Sequence, residues 1–228
     1  MKLIIFGPPG AGKGTFSSRI ALKLAIHKIS TGDIFREEID RKTVMGRTIE
    51  RYVTTGALVP DDIVIAVLKK RIDEVAARGF ILDGFPRTLS QAQALDAITP
   101  IDAIVNLLTP TELLVEKISS RRICRSCGEI YNIADINTTI NGVTYLLPPL
   151  APQRDGVCDK CGGDLYQRSD DRPDVVLDRL EVYTRQSRPV LDHYRGRVPF
   201  IDIEASKAAA IIADEITRRL KALLVEGG

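Results

Sequence analysis

GPPGAGKGT, residues 7–15, follows directly on the apolar run Leu3–Phe6 and precedes a stretch with apolar residues at Phe16, Ile20 and Leu24. The run reads as a strand and Lys13–Ala25 as a helix, because the apolar spacing changes across the glycines from continuous to every fourth residue. Gly7, Gly10, Gly12 and Gly14 let the backbone between them turn tightly and approach a ligand closely. N–H groups of such a turn, set at a helix N-terminus, converge on an anion, and phosphate is the anion they suit. Lys13 adds a point charge toward the outer phosphates of a nucleotide. The usual form of this loop has Ser or Thr directly after the lysine; here Gly14 intervenes and Thr15 follows, which narrows the field among nucleotide binders.

The same alternation continues to the C-terminus. A strand around Lys28–Ile29 leads into STGD, where Ser30 or Thr31 can cap the next helix. A helix opens at Asp61 after Pro60, with Ile65, Leu68 and Ile72 inward, and a strand follows at Phe80–Leu82. Then come a helix from about Leu89, a strand Ala103–Leu108 and a helix after Pro110. Periodicity fails from Ile123 to about Asp171 and resumes with a helix Pro173–Tyr194, a strand Pro199–Ile203 and a helix ending near Leu224. Five strands alternating with helices predict an α/β fold, a parallel sheet flanked by helices, interrupted by one insertion.

Composition excludes several partners. Lys and Arg total 32 against 30 Asp and Glu, so a net charge of +2 provides no general field for nucleic acid or anionic lipid. Aromatic residues are 5% with no tryptophan, too few for a base-stacking surface. The four-residue apolar run at the N-terminus is too short for a signal or a membrane span, so a cytoplasmic protein is expected.

Two further stretches carry polar groups where an acceptor could bind. STGDIFR, residues 30–36, sets Thr31 and Arg36 about a turn and a half apart on one helix. LDGFPRTLSQ, residues 82–91, ends an apolar strand at Asp83, a metal-proximal position, and turns through Gly84, Phe85 and Pro86 to Arg87. Arg87 suits a bidentate grip on phosphate, and Gln91 one helical turn later can present an amide to a purine edge.

With these motifs in order, GPPGAGKGT, STGDIFR, GALVPDDIV, ILDGFPRT, RRIC and QRSDDRPD, the chain resembles the adenylate kinases along essentially its whole length. The resemblance implies a P-loop NTPase core of residues 1–29, 60–119 and 172–228, an AMP-binding segment at 30–59 and a lid at 120–171. It implies Mg²⁺-dependent transfer from ATP to AMP giving two ADP, by a monomer. Carried onto this chain, Gly10, Ala11, Gly12, Lys13, Gly14 and Thr15 hold ATP phosphates, with Ile130, Tyr131 and the Lys207 carbonyl along its base and ribose. Thr31, Arg36, Ala57, Leu58, Val59, Gly84, Phe85, Pro86, Arg87 and Gln91 hold AMP. Lys13, Arg87, Arg121, Arg168 and Arg179 surround the transferring phosphoryl group, and Asp170 and Asp171 look like partners of those arginines. A kinase for another nucleoside monophosphate is the neighbouring alternative, and a zinc-ribbon nucleic-acid-binding ATPase the remote one.

All four cysteines lie in two pairs, Cys124/Cys127 and Cys158/Cys161, each pair followed by a glycine. In a reducing compartment this pattern favours a metal over a redox pair or disulfide, and four thiolates make a closed tetrahedral zinc site. Some adenylate kinases carry such a zinc lid. Thirty residues separate Cys127 from Cys158, more than the roughly 15–20 of a simple two-knuckle site. Within the excess, Asn141-Gly142 between β-prone arms predicts a type I′ hairpin that extends the flap or lends it β-structure. Two departures from the family stand at Lys117, where an arginine usually stacks on the ATP base, and at Ser120, where a glycine is usual.

Overall fold

A computed structural model of the chain describes residues 1–55 and 57–226. Gly56, in the GALVPDDIV motif, lies outside the described residues, as do Gly227 and Gly228. The first half contains β1 (Lys2–Phe6), α1 (Lys13–Leu24), β2 (His27–Ser30), α2 (Thr31–Asp40), α3 (Val44–Thr55) and α4 (Asp61–Val75). After these come β3 (Phe80–Asp83), α5 (Leu89–Ile98), β4 (Ala103–Leu108) and α6 (Thr111–Ser119). The cysteine-bearing insertion contributes β5 (Arg121–Cys124), β6 (Ile130–Asn132), β7 (Ile136–Ile140), β8 (Val143–Leu147) and β9 (Leu165–Tyr166). The chain closes with α7 (Pro173–Val182), α8 (Arg188–Tyr194), β10 (Phe200–Glu204) and α9 (Ala209–Glu226).

Five strands form one parallel sheet in the order β10-β4-β1-β3-β2. Side chains on β1 alternate between its faces, as strand geometry requires. Leu3 and Ile5 pack with Phe16 and Ile20 of α1 and Ile212 and Ile216 of α9, while Ile4 and Phe6 pack with Leu68, Leu95 and Val190 on the other face. Because both faces are covered, the central strands β1, β3 and β4 are almost continuously apolar, whereas the edge strands β2 and β10 carry polar residues. The chain leaves β1 to one side for β2 and β3 and returns to the other for β4, so the C-terminal ends of β1 and β3 flank a topological switch point, where open α/β sheets bind ligands.

The expected helix Pro173–Tyr194 is continuous but holds a π-helical turn, Tyr183–Ser187, between α7 and α8. Of the two candidate caps of α2, Ser30 does the capping: its hydroxyl accepts from the Asp33 N–H at 3.2 Å. The insertion has its own three-stranded sheet, β6-β5-β9, and a separate two-stranded sheet, β7-β8. Asn141 and Gly142 both have positive φ, 51° and 79°, as a type I′ turn demands. No helix among the described residues is long and apolar enough to cross a membrane.

Candidate active site

The glycines after β1 bend the loop back over the N-terminus of α1. Gly10 and Gly12 have φ of 85° and 91°, and a Cβ on Gly10 would sit 2.6 Å from the Ile118 side chain. Gly12 occupies the N-cap with no side-chain cap, so the first N–H groups of α1 stay open toward the cleft. Gly14 is inside α1 and serves a different end: a Cβ there would lie 3.2 Å from Ile130 of the insertion, which folds down onto the loop. Lys13 Nζ donates to the carbonyls of Gly7 at 2.7 Å and Pro8 at 2.9 Å. Desolvation pushes its amine down to about 7, opposed by nearby Asp83 and reinforced by Arg87, Arg179 and Arg121.

A cavity of about 450 Å³ runs from this loop between the sheet, α2 and the insertion. Asp83 closes β3 at its floor, buried, and accepts from the Ser17 hydroxyl at 3.2 Å. Lys28 lies 4.0 Å from the same carboxylate and donates to the Gly14 carbonyl at 3.4 Å and to Ser18 at 3.2 Å. Nothing in the spacing of β2 marks Lys28 as a neighbour of that carboxylate.

On the side of α2, Thr31 donates to the Gly84 carbonyl at 3.0 Å and Arg36 pairs with Asp33. Arg87 Nε donates to the Gly84 carbonyl at 2.8 Å, after a turn in which the Phe85–Pro86 peptide is cis. The walls of the cleft strip water from Arg87 first and Arg179 adds repulsion, so its guanidinium is pushed down to about 10 although it opens onto the cavity. Gln91 is buried; its oxygen accepts from the Arg87 N–H at 2.7 Å and its nitrogen donates to Asp61 at 2.6 Å. Asp61 also accepts from Thr88 at 2.9 Å, so this carboxylate, expected only as a helix opener, holds the Arg87 turn. Ala57, Leu58 and Val59 line the same end of the cavity.

Three arginines reach the cavity from the far side. Arg121, at the start of β5, makes paired bonds to the fully buried Asp171, with Nε at 2.9 Å from Oδ2. Desolvation works against Arg121 first, yet the Asp171 bonds carry it above the usual guanidinium value. Arg179 on α7 donates to the Asp170 carbonyl at 2.8 Å and lies 3.0 Å from its carboxylate. Arg168 has a buried Nε without an acceptor among the described residues, and desolvation followed by repulsion from Arg121 and Arg36 pushes it down to about 10. Cations from sequence-distant segments thus converge on one cavity with Asp83, Asp170 and Asp171 facing them, an arrangement suited to a polyphosphate.

Of the residues expected along a donor nucleoside, Ile130 and Lys207 line the cavity. Tyr131 lines it too, but its hydroxyl turns away, donating to Cys158 Sγ at 3.5 Å and accepting from the Asp159 N–H at 2.8 Å. Lys117 lines the same end, half-buried, and burial pushes its amine down to about 8. The exposed carbonyls at the end of α6 are taken up by the insertion: Asn132 donates to Lys117 at 2.7 Å and Gln167 to Ser119 at 2.8 Å.

The cysteines meet outside the cavity. Their four sulfurs lie within 4.8 Å of one another, with Cys124 and Cys161 at 3.4 Å and Cys127 and Cys158 at 3.6 Å. No disulfide joins them. A tetrahedron of sulfurs about 2.3 Å from a metal has edges of about 3.8 Å, so the cluster is sized for one ion. Gly128 and Gly162 each take φ of 73° and return an N–H to the first cysteine of their pair, the turn a metal knuckle needs.

Comparison with known proteins agrees with this geometry. A family model described as adenylate kinase matches residues 5–198. The chain is 42% identical over 213 residues to an adenylate kinase of Archaeoglobus fulgidus, covering 91% of this chain and 92% of that one. It is 41% identical to one from Caldicellulosiruptor bescii, covering 99% and 100%, and 42% identical to one from Streptomyces coelicolor, covering 96% of each. With similarity extending over loop, cleft and insertion alike, the chain belongs to the adenylate kinase family, phosphotransferases that act on AMP with ATP.

Proposed function

We propose that the cavity carries out phosphoryl transfer from ATP to AMP with the division of labour drawn from the sequence. Gly10–Thr15 and Lys13 hold the ATP phosphates, and Ile130, Tyr131 and the Lys207 carbonyl flank its nucleoside. Thr31, Arg36, Ala57–Val59, Gly84–Arg87 and Gln91 hold AMP, and Arg121, Arg168 and Arg179 close on the transferred group. The single observation carrying this reading is the convergence of Lys13, Arg36, Arg87, Arg121, Arg168 and Arg179 on one cavity.

The chemistry needs little beyond charge and alignment. An AMP phosphate oxygen is already ionised, so no strong base is required, and the barrier lies in bringing two polyanions in line. Arginines aimed at the developing charge lower it without reorganising at the moment of transfer. The insertion, resting on Gly14 through Ile130, excludes the water that would otherwise take the phosphoryl group. Asp83 and Thr15 would offer Mg²⁺ the hard oxygen atoms that suit it. Mg²⁺ bound with ATP neutralises charge on the phosphates.

Residues 120–171 act as the lid and 30–59 as the AMP-binding segment of one core, in a cytoplasmic monomer. Cys124, Cys127, Cys158 and Cys161 hold a structural zinc that stiffens the lid, and through β5 the strand that presents Arg121. The test is ADP formation from ATP with AMP, GMP, CMP and UMP in turn. AMP should be strongly preferred; equal or better turnover with another monophosphate would refute the acceptor assignment.

A further inference from the structure

The reaction leaves the β7–β8 hairpin without a task. It does not project outward as an extension of the flap. Ile136 and Tyr145 pack on Leu113 of α6, and Tyr145 is only 2% exposed. Its hydroxyl donates to Glu204 Oε2 at 2.8 Å, and the next residue, Leu146, donates its backbone N–H to the Ser206 carbonyl at 2.8 Å. Both bonds land on the segment that leaves β10 toward Lys207. Ala205 and Lys207 of that segment face the same cavity as Ile136, Leu147 and Leu150 on the hairpin side. At the hairpin's base, Asn132 and Leu150 exchange two backbone bonds, at 3.0 and 2.8 Å, which join the arm to β6 and so to the cysteine-bearing sheet.

We propose that the β7–β8 hairpin is a clasp for the nucleoside end of the donor triphosphate: Tyr145 and Leu146, bound to Glu204 and Ser206, hold an apolar wall against the base. This rests on assigning the Lys207 carbonyl to the donor side. Swinging the insertion away from the core requires both bonds to break. The wall also offers a physical substitute for the stacking arginine that Lys117 replaces, because Ile136, Leu147 and Leu150 cover a base by apolar contact. Tyr145 and Glu204 are positioning residues, since neither is among the groups assigned to nucleotide.

The test uses the full chain and two readouts, kinetics with ATP and AMP varied separately and amide exchange at Leu146 without nucleotide. Tyr145→Phe should raise the KM for ATP about three- to ten-fold and leave that for AMP within about two-fold, the range one hydrogen bond commands. The Leu146 amide, protected in the parent protein, should exchange faster by a similar factor. Glu204→Gln keeps an acceptor oxygen and should stay near the parent values in both. An unchanged KM for ATP, an equal rise for AMP, a Leu146 amide indifferent to Tyr145→Phe, or damage from Glu204→Gln as large as from Tyr145→Phe would each overturn the clasp. A parent protein that makes no ADP from ATP and AMP would instead sink the functional reading, and exchange at Leu146 would then judge the clasp alone.

Discussion

Arg87 offers the sharpest separation between a residue that holds the fold and one that serves the reaction. Among the described residues only the Nε of its guanidinium has an acceptor, the Gly84 carbonyl, so its terminal nitrogens are available to phosphate. Desolvation and the neighbouring Arg179 disfavour its charge in the absence of nucleotide. Its side chain is exposed to the cleft, so removing the cation should not harm the fold, and Arg87→Ala should leave the melting temperature nearly unchanged. Transition-state stabilisation is another matter. A preorganised donor aimed at developing oxyanion charge contributes about 2.7–4 kcal/mol, so kcat should fall about 10²–10³-fold. Arg87→Lys keeps the charge without the fork and should recover only part of the loss, because one ammonium cannot make two parallel bonds. Steady-state ADP formation, paired with thermal unfolding of the same samples, measures both arms. Near-normal turnover of Arg87→Ala would refute the assignment, and a large drop in melting temperature would show that the residue is structural after all.

The cysteine cluster should carry one zinc ion per chain in protein purified without added metal, measured by elemental analysis; absence of zinc with four freely titrating thiols would refute it. Lys13, held near 7, lies below its unfolded value of about 10.4. The unfolded state therefore binds the extra proton between those values, so this group's contribution to stability rises with pH through that window and is lost as pH falls toward 7. Phosphate restores the charge, so ATP binding at pH 8 should take up a proton that Lys13→Met does not, seen by calorimetry in buffers of different ionisation enthalpy; no uptake in the parent protein counts against it. Lys117→Arg should lower the KM for ATP more than that for GTP, by a factor within the roughly 0.5–2 kcal/mol of a cation–π contact. Equal changes for both donors would assign Lys117 to phosphate or lid position instead.

The central strands and the phosphate loop were legible because their signals are local: apolar runs bounded by glycine or proline, and a lysine at a fixed offset. Helix α3 leaves little signal in the sequence, since its inward face offers only Gly46 and Ile49 as buried residues. Gly46 reads in sequence as a breaker, yet a Cβ there would lie 2.1 Å from the Glu38 carbonyl, so it is where α2 and α3 touch backbone to backbone. The hairpin turn was readable from Asn141-Gly142, whereas its docking on Glu204, 59 residues from Tyr145, was not. The same holds for Lys28 beside Asp83 and Asp61 beneath Gln91. Hydrogen bonds between distant segments leave no periodic trace, and polar groups that hold a site look in sequence like any solvated residue.

The partners of the arginines suggest how the cavity distinguishes its empty from its filled state. Asp171 is fully buried and grips Arg121 with both oxygens, so this pair gains little from exchanging carboxylate for phosphate and keeps β5 in place. Arg179 is held differently, by one carbonyl bond and a single contact to Asp170, with a longer approach to Asp171 at 3.6 Å. Arg168 has no acceptor at Nε among the described residues. Incoming phosphate would therefore meet a gradient: one arginine already committed, one that can change partners, and one with a buried Nε not bonded by protein. A buried donor left unpaired costs about 1–3 kcal/mol, more for a charged group. On the proposed assignment, nucleotide removes that cost when the insertion is down over the loop, with Arg168 and Arg179 against the phosphates. On the same assignment, the unpaired donor of the empty cleft favours closure in the presence of substrate, and the arginines assigned to the transferring group are the ones that sense its arrival.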